Sequence, residues 1–263
     1  TTVIGGGVVN VSRIGKGENQ IAFALTPYPE QGYHGQGKYP TPFKNLRLIA
    51  SNLGRTVVIA LVVPKDSPIK ALGDLRGKRI VAGDRGWGTT ELAEALMAAA
   101  GMPPDRFKAE GGTISYTSIT DRSKALQDRN VDAIFVPAQV PYPELMAVQQ
   151  ATGLRVIGFP PDLVDKTLAM VPGVIKGQIP AGLYGVAGAG LQSPGFLQQL
   201  IVDAGLSDEL VYRITKLWWE RIKDIHEIAP GLDQANVKLA MENATIPFHP
   251  GALRYYKEVG VAR

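Results

Sequence analysis

The chain has 263 residues, 45% hydrophobic and 20% charged, with no cysteine. That length can bury one large core or two lobes of ordinary size, and the missing thiols exclude disulfides, zinc–thiolate centres and cysteine nucleophiles. The net charge of +4, from 28 basic and 24 acidic side chains, has its densest basic stretch in "DLRGKR", too short a run for a nucleic-acid stripe but compatible with a small anionic ligand.

In chain order, "TTVIGGGVVNVSRIGKGE" reads as a strand end, a turn at Gly5, Gly6 and Gly7, and a short helix. "NQIAFALTP" follows as a buried strand, and "YPEQGYHGQGKYPTPF" as a Gly/Pro/Tyr loop. "NLRLIASN" and "TVVIALVV" are apolar strands with little alternation, as where both sheet faces are covered. The longest aliphatic run, Val57 to Val63, is far too short to span a membrane. No export signal is visible in the sequence.

After a linker at "PKDSPIKALGDLRG" the strand–helix rhythm restarts. "KRIVAG" is a strand, Glu91 to Ala100 a helix, Ser118 to Gln127 a helix, "VDAIFVP" a strand and "YPELMAVQQATG" a helix. "LRVIGFP", "PDLVDKTLAMVPG" and "GVIKGQIPAG" read as strand, helix and strand, and "GFLQQLIVDA" as a strand returning to the first lobe. Ser207 precedes one long amphipathic helix over 208–228, whose inward stripe is expected at Leu210, Ile214, Leu217, Trp218, Ile222 and Ile225. Of each pair Trp218/Trp219 and Tyr255/Tyr256, one ring at most is expected to face the core. Two short helices, near Asn236 to Asn243 and Pro250 to Val259, complete the reading.

This alternation predicts an α/β protein of two lobes, each a mostly parallel sheet flanked by helices. Lobe I is expected over 1–65 and 194–263 and lobe II over 66–193, joined by hinge strands near 57–64 and 195–202. Ligands in such folds bind beyond the C-terminal ends of strands.

The stretch "GDRGWGTT", residues 83–90, lies between a strand and a helix. It is not a phosphate loop, because Thr89 stands where the lysine is required, nor a dinucleotide loop, because Glu91 replaces the third glycine. What it offers is a helix N-terminus with free N–H groups and the hydroxyls of Thr89 and Thr90, a place for one carboxylate. The same threonines would also serve to cap their own helix. Gly86 and Gly88 let a ligand approach the backbone, Trp87 can wall the pocket, and Arg85 is a candidate counter-ion for a second carboxylate, or simply an exposed loop arginine.

"GGGVVN" repeats the strand–glycine–helix design and "FVPAQVPYPE" follows a strand end, though both also read as ordinary turns. Three histidines, His34, His226 and His249, stand far apart, and no metal-ligand run or nucleophile elbow occurs, so no metal, cofactor or catalytic group is expected. His226 reads as a surface or helix-dipole residue, and His249 as a cap or packing residue of the last helix.

Across nearly the whole chain, "GGGVVNVSRIGKGENQIAF", "FKNLRLIA", "SPIKALGDLRGKRIVAGDRGWGTT", "DRNVDAIFVPA", "IPAGLY", "SDELVYRITKLWWE" and "TIPFHPGALRYYKEVG" occur in an order that resembles the TAXI family of solute receptors for TRAP transporters. The resemblance implies the type II periplasmic-binding-protein fold and a periplasmic receptor, neither enzyme nor membrane-inserted. Such a receptor closes by a hinge on a small carboxylate, such as glutamate, glutamine or a related acid, and hands it to the permease subunits of a TRAP transporter. Carried over position by position, it points to Val8 and Asn10 in the first turn, to Gly86, Gly88, Thr89 and Thr90, to Ala138 and Gln139 after "DAIFV", and to Tyr184. Trp87 departs from the small residue usual there. The resemblance further implies that an initial strand, loop and helix, with an export signal, precede the first residue. An enzyme or a regulator's effector domain on the same scaffold is the alternative.

Overall fold

The structure, a computed structural model, describes residues 7–138 and 140–262. α1 (Gly7–Gly15) leads to β1 (Ile21–Leu25), α2 (Tyr28–His34), β2 (Leu46–Ala50) and β3 (Val57–Pro64). A 3-10 turn precedes β4 (Arg79–Gly83), α3 (Gly88–Ala99), α4 (Pro104–Ala109), β5 (Thr113–Tyr116), α5 (Ile119–Gln127) and β6 (Ala133–Pro137). Next come α6 (Pro143–Ala151), β7 (Leu154–Ile157), α7 (Pro161–Met170), β8 (Ile175–Ile179), β9 (Leu191–Phe196) and β10 (Gln198–Asp203). The last helices are α8 (Asp208–Glu220), α9 (Ile222–Ile228) and α10 (Pro250–Glu258).

These elements form two compact units, Thr1–Arg55 with Leu197–Arg263 and Thr56–Phe196. The α/β class is the one expected from the sequence. The division falls earlier than the boundary expected at 65, because β3 packs entirely in the second unit. The second hinge stretch is likewise divided, with β9 ending at Phe196 in one unit and β10 beginning at Gln198 in the other.

In the second unit the strand order is β5-β4-β6-β3-β9-β8, with β7 also pairing β3. All eight residues of β3 are buried, and Val58, Ala60 and Val62 on one face of it join Val81 of β4 and Ile134 and Val136 of β6 in one core with Leu145 and Val148 of α6. Each such side chain contributes about 1.5–3 kcal/mol on burial. β4 runs parallel to β5 and β6, whereas β3 is antiparallel to β6, β7 and β9. The expectation of a mostly parallel sheet therefore needs correction. The chain enters this unit on β3 and leaves on β9; lying side by side, with Val57 opposite Phe196, the two must run in opposite directions.

In the first unit β10 lies between β1 and β2 and is antiparallel to both. β1, expected to be buried, is an edge strand among the described residues, with only Ala24 buried and Phe23 44% exposed. The segment read as a loop contains α2. Its proline falls in the first turn and Gly35 closes it in the left-handed region at φ 70°, so glycines and prolines here punctuate a helix rather than prevent one.

Three further expectations change in this unit. The long helix breaks at Arg221 into α8 and α9, and its buried positions are Val211, Thr215 and Trp219, while Leu210 and Leu217 are exposed. Of the expected stripe, Ile214, Trp218, Ile222 and Ile225 pack against this core, while Leu210 and Leu217 do not. Tyr255 and Tyr256 are both buried, and Trp218 packs against the same core as Trp219, because α8 and α10 close on each other and enclose flanking faces. Residues 236–243 form turns instead of a helix. His249 caps α10, its Nδ1 accepting the Gly251 N–H at 3.2 Å, while its Nε2 lies 3.1 Å from the Leu206 carbonyl oxygen.

Candidate ligand-binding site

β4 ends at Gly83, at the same end of the sheet as Tyr116 of β5, whose successor Thr117 donates its N–H to the Gly83 carbonyl at 3.0 Å. The turn 84–87 then reverses the chain into α3. Gly83 has φ +131° and Gly86 φ +79°, conformations that an L side chain rarely adopts. α3 begins at Gly88, so Thr89 and Thr90 lie in its first turn rather than before it.

The two threonines differ. Thr90 Oγ1 donates to the Asp84 carbonyl at 2.7 Å and pins the turn to the helix. Thr89 is 7% exposed and no hydrogen bond joins its hydroxyl to a described residue. The N–H groups of Gly88 and Thr89 likewise make no backbone hydrogen bond. Trp87 occupies the N-cap position in extended geometry without a side-chain cap, leaves those donors unused, and is 41% exposed. A helix N-terminus in this condition favours an anion through its aligned N–H dipoles.

Arg85 points elsewhere: its guanidinium stacks on the Tyr116 ring, 4.0 Å from the centroid. The Tyr116 hydroxyl in turn donates to Glu94 Oε1 at 2.6 Å, and burial, followed by that hydrogen bond, pushes its pKa up to about 12. Arg85 therefore reads as a packed surface cation.

A second arginine, not singled out in the sequence, stands at the turn. Arg122, in the first turns of α5, is 3% exposed. Its Nη1 reaches the Thr117 carbonyl only at 3.4 Å, and its Nε is enclosed without a partner. Burial lowers its pKa, with Asp84 and Tyr142 opposing that shift, yet it stays charged, as guanidinium groups do. A Cβ added to Gly83 would lie 2.5 Å from Thr90 Oγ1 and 2.9 Å from Arg122 Nη1, so both groups sit over the same glycine. The signal was in the sequence: Arg122 stands between Ile119 and Leu126 where three-and-four spacing calls for an apolar residue.

The remaining expected residues are distributed as follows. Ala138 is fully buried and donates its N–H to Val58 O at 2.9 Å; Gln139 lies outside the described residues. Tyr184 is 4% exposed and in the left-handed region at φ 50°. Its phenol oxygen accepts the Tyr142 N–H at 2.8 Å, so it braces the loop after β6, and burial pushes its pKa up to about 12. In the first unit, Val8 O accepts from the Tyr39 hydroxyl at 3.2 Å and Asn10 Nδ2 donates to Phe23 O at 2.9 Å. Both belong to α1; Gly5 and Gly6 of the turn before it lie outside the described residues.

A cavity of about 300 Å³ opens at the other end of the β4 strand, lined by Asp66, Ser67, Lys78, Arg79, Arg129 and Asp132 among others. Its charges are largely paired internally, Arg129 with Asp66 at 2.7 Å and Arg79 with Asp132 at 2.8 Å. Among the described residues there is no group of acidic or histidine side chains able to hold a metal, and no helix long and apolar enough to cross a membrane.

Several solved structures resemble the chain at low identity. The periplasmic aliphatic sulphonate binding protein SsuA from Escherichia coli is 14% identical, with 96% of this chain and 70% of that one covered and a TM-score of 0.47. A structure from work on glutathione import via GshT and the cystine importer TcyBC of Streptococcus mutans is 12% identical, with 90% and 79% covered and a TM-score of 0.49. An ancestral arginine-binding protein bound to arginine is 17% identical, with 84% and 76% covered and a TM-score of 0.45. At the level of sequence, the pattern of the NMT1-like family matches residues 1–260, and the chain belongs to that family.

Proposed function

We propose that the protein is a solute receptor that binds a small carboxylate, an amino acid or related organic acid, and presents it to a membrane permease outside the cytoplasm. The observation that carries this reading is the turn from β4 into α3, where the N–H groups of Gly88 and Thr89 and the Thr89 hydroxyl have no hydrogen-bond partner among the described residues. Such a terminus matches one carboxylate in size and charge. The loop after β6, with Ala138 and Gln139 and braced by Tyr184, supplies the neighbouring wall in this reading, and Trp87 limits the ligand's bulk. Val8 and Asn10 are also proposed as ligand-binding residues, on the resemblance alone. The ordered resemblance to the TAXI receptors supports a TRAP permease as partner, a periplasmic location, and glutamate or glutamine as first ligands to try; no catalytic step is assigned.

The test is thermal unfolding of the intact chain against a panel of amino acids, dicarboxylates and neutral solutes. A bound acid at roughly 100-fold its Kd raises the Tm by about 5 °C or more. A flat response to every acid on the panel overturns the assignment.

A further inference from the structure

We infer that Arg122 is the charge that selects an acid at this face: the ligand's carboxylate lies between the Thr89 end of α3 and the Arg122 guanidinium. The inference rests on the proposed receptor role and adds to it the residue that sets ligand class.

Three observations meet here. Arg122 is 3% exposed, yet its guanidinium makes one hydrogen bond among the described residues, and that a long one of 3.4 Å. Its enclosed Nε has no partner. Burying a cation in that condition is costly unless an anion meets it, because water can no longer solvate the charge and no protein group replaces the water. Asp84 opposes the loss of charge on Arg122 from nearby but forms no ion pair with it.

The second observation is the approach through Gly83. Thr90 Oγ1 and Arg122 Nη1 occupy the space that any side chain at 83 would need. A glycine there, in a backbone conformation reserved for glycine, is what lets a guanidinium come beside the first turn of α3. The third is chemical complementarity. The helix end offers N–H donors at Gly88 and Thr89, the guanidinium offers a planar fork, and both prefer an ionised oxygen pair to a neutral amide. Arg85, by contrast, is exposed and stacked on the Tyr116 ring.

The experiment uses the intact chain and its Arg122→Gln, Arg122→Lys and Thr89→Ala variants. Succinate, glutarate and L-glutamate are each titrated calorimetrically beside the fully amidated counterpart. An acid that binds the parent chain is expected to lose about 10- to 100-fold in affinity in R122Q, less in R122K and T89A, and its amide is expected not to bind. Because R122Q removes a buried group, the Arg122 Nε–H resonance of the parent chain is followed by NMR in parallel; it is expected to shift on adding the acid. Equal affinity in R122Q and the parent, or an unmoved Nε–H signal at saturation, overturns the inference and leaves the receptor role standing. Binding of neutral solutes alone overturns the role of Arg122 and the acid class together. Binding of nothing on the panel overturns the receptor role as well.

Discussion

Trp219 donates its indole N–H to the Tyr256 hydroxyl at 3.1 Å, and that hydroxyl donates in turn to the Ile49 carbonyl at 2.6 Å. One phenol thereby ties α8, α10 and β2 together in the core of the first unit, and its burial pushes the Tyr256 pKa above its ordinary range. Tyr256→Phe keeps the ring but leaves the indole N–H and a buried carbonyl without a partner. The expected loss is about 1–3 kcal/mol, read as a lower urea midpoint with an unchanged m-value; an unchanged midpoint refutes the triad's role.

Gly83→Ala tests the turn itself. The added methyl meets Thr90 Oγ1 and Arg122 Nη1 and must adopt φ +131°, so the expected cost is about 2 kcal/mol or more, from strain and displaced contacts. Gly86→Ala meets no atom within 4 Å and carries only the backbone penalty of its positive φ, about 1 kcal/mol. Urea unfolding of the two variants should rank them in that order.

Trp87→Ser separates stability from binding. Serine at an extended N-cap accepts from the first-turn N–H groups and is expected to add about 1 kcal/mol. The Thr89 N–H that such a cap takes is one of the donors given to the ligand, so affinity for an acid should fall while the unfolding midpoint rises. A variant that gains both would place the ligand away from α3.

The paired carboxylates predict the acid limb of stability. Asp132 accepts the Arg79 N–H at 2.7 Å and pairs with its guanidinium at 2.8 Å, and the Arg79 hydrogen bond holds its pKa below the ordinary 3.8 against a smaller opposing effect of burial. A folded pKa below the unfolded one gives stability that is complete above 3.8 and is lost as pH falls through the lower folded value. Unfolding free energy should therefore hold from neutral pH to about pH 5 and decline below it. Asp132→Asn should be less stable than the parent at neutral pH and show a shallower decline in acid.

The sequence made the strand–helix order and the β4–α3 turn legible because both depend on local signals: aliphatic runs, glycine stops and a missing lysine at Thr89. Strand direction was less legible, since β3 and β9 are set antiparallel by where the chain enters and leaves a unit, a relation between residues 57 and 196 that no local window contains. The α8 stripe misled because Leu210 and Leu217 keep helical spacing yet face solvent, while Thr215, a polar residue, is buried with its hydroxyl bonded to the Val211 carbonyl at 2.7 Å. Arg122 was passed over because a charged side chain in a short helix ordinarily reads as solvated. Its place on the Ile119–Leu126 face of α5 is the signal that outweighs that reading, because this face turns toward the sheet.

The place of β10 has a consequence for how the protein is made. β1 and β2 do not pair with each other; each pairs with β10, which the chain supplies some 150 residues after β2. On the ribosome the second unit, a continuous segment, can complete its hydrogen-bonded ladders as it emerges, while β1 and β2 wait with unpaired edges for their shared partner. The sheet of β1, β2 and β10 is thus completed only after the second unit has emerged, and the interval is when the edges of β1 and β2 are open to mispairing and to chaperones.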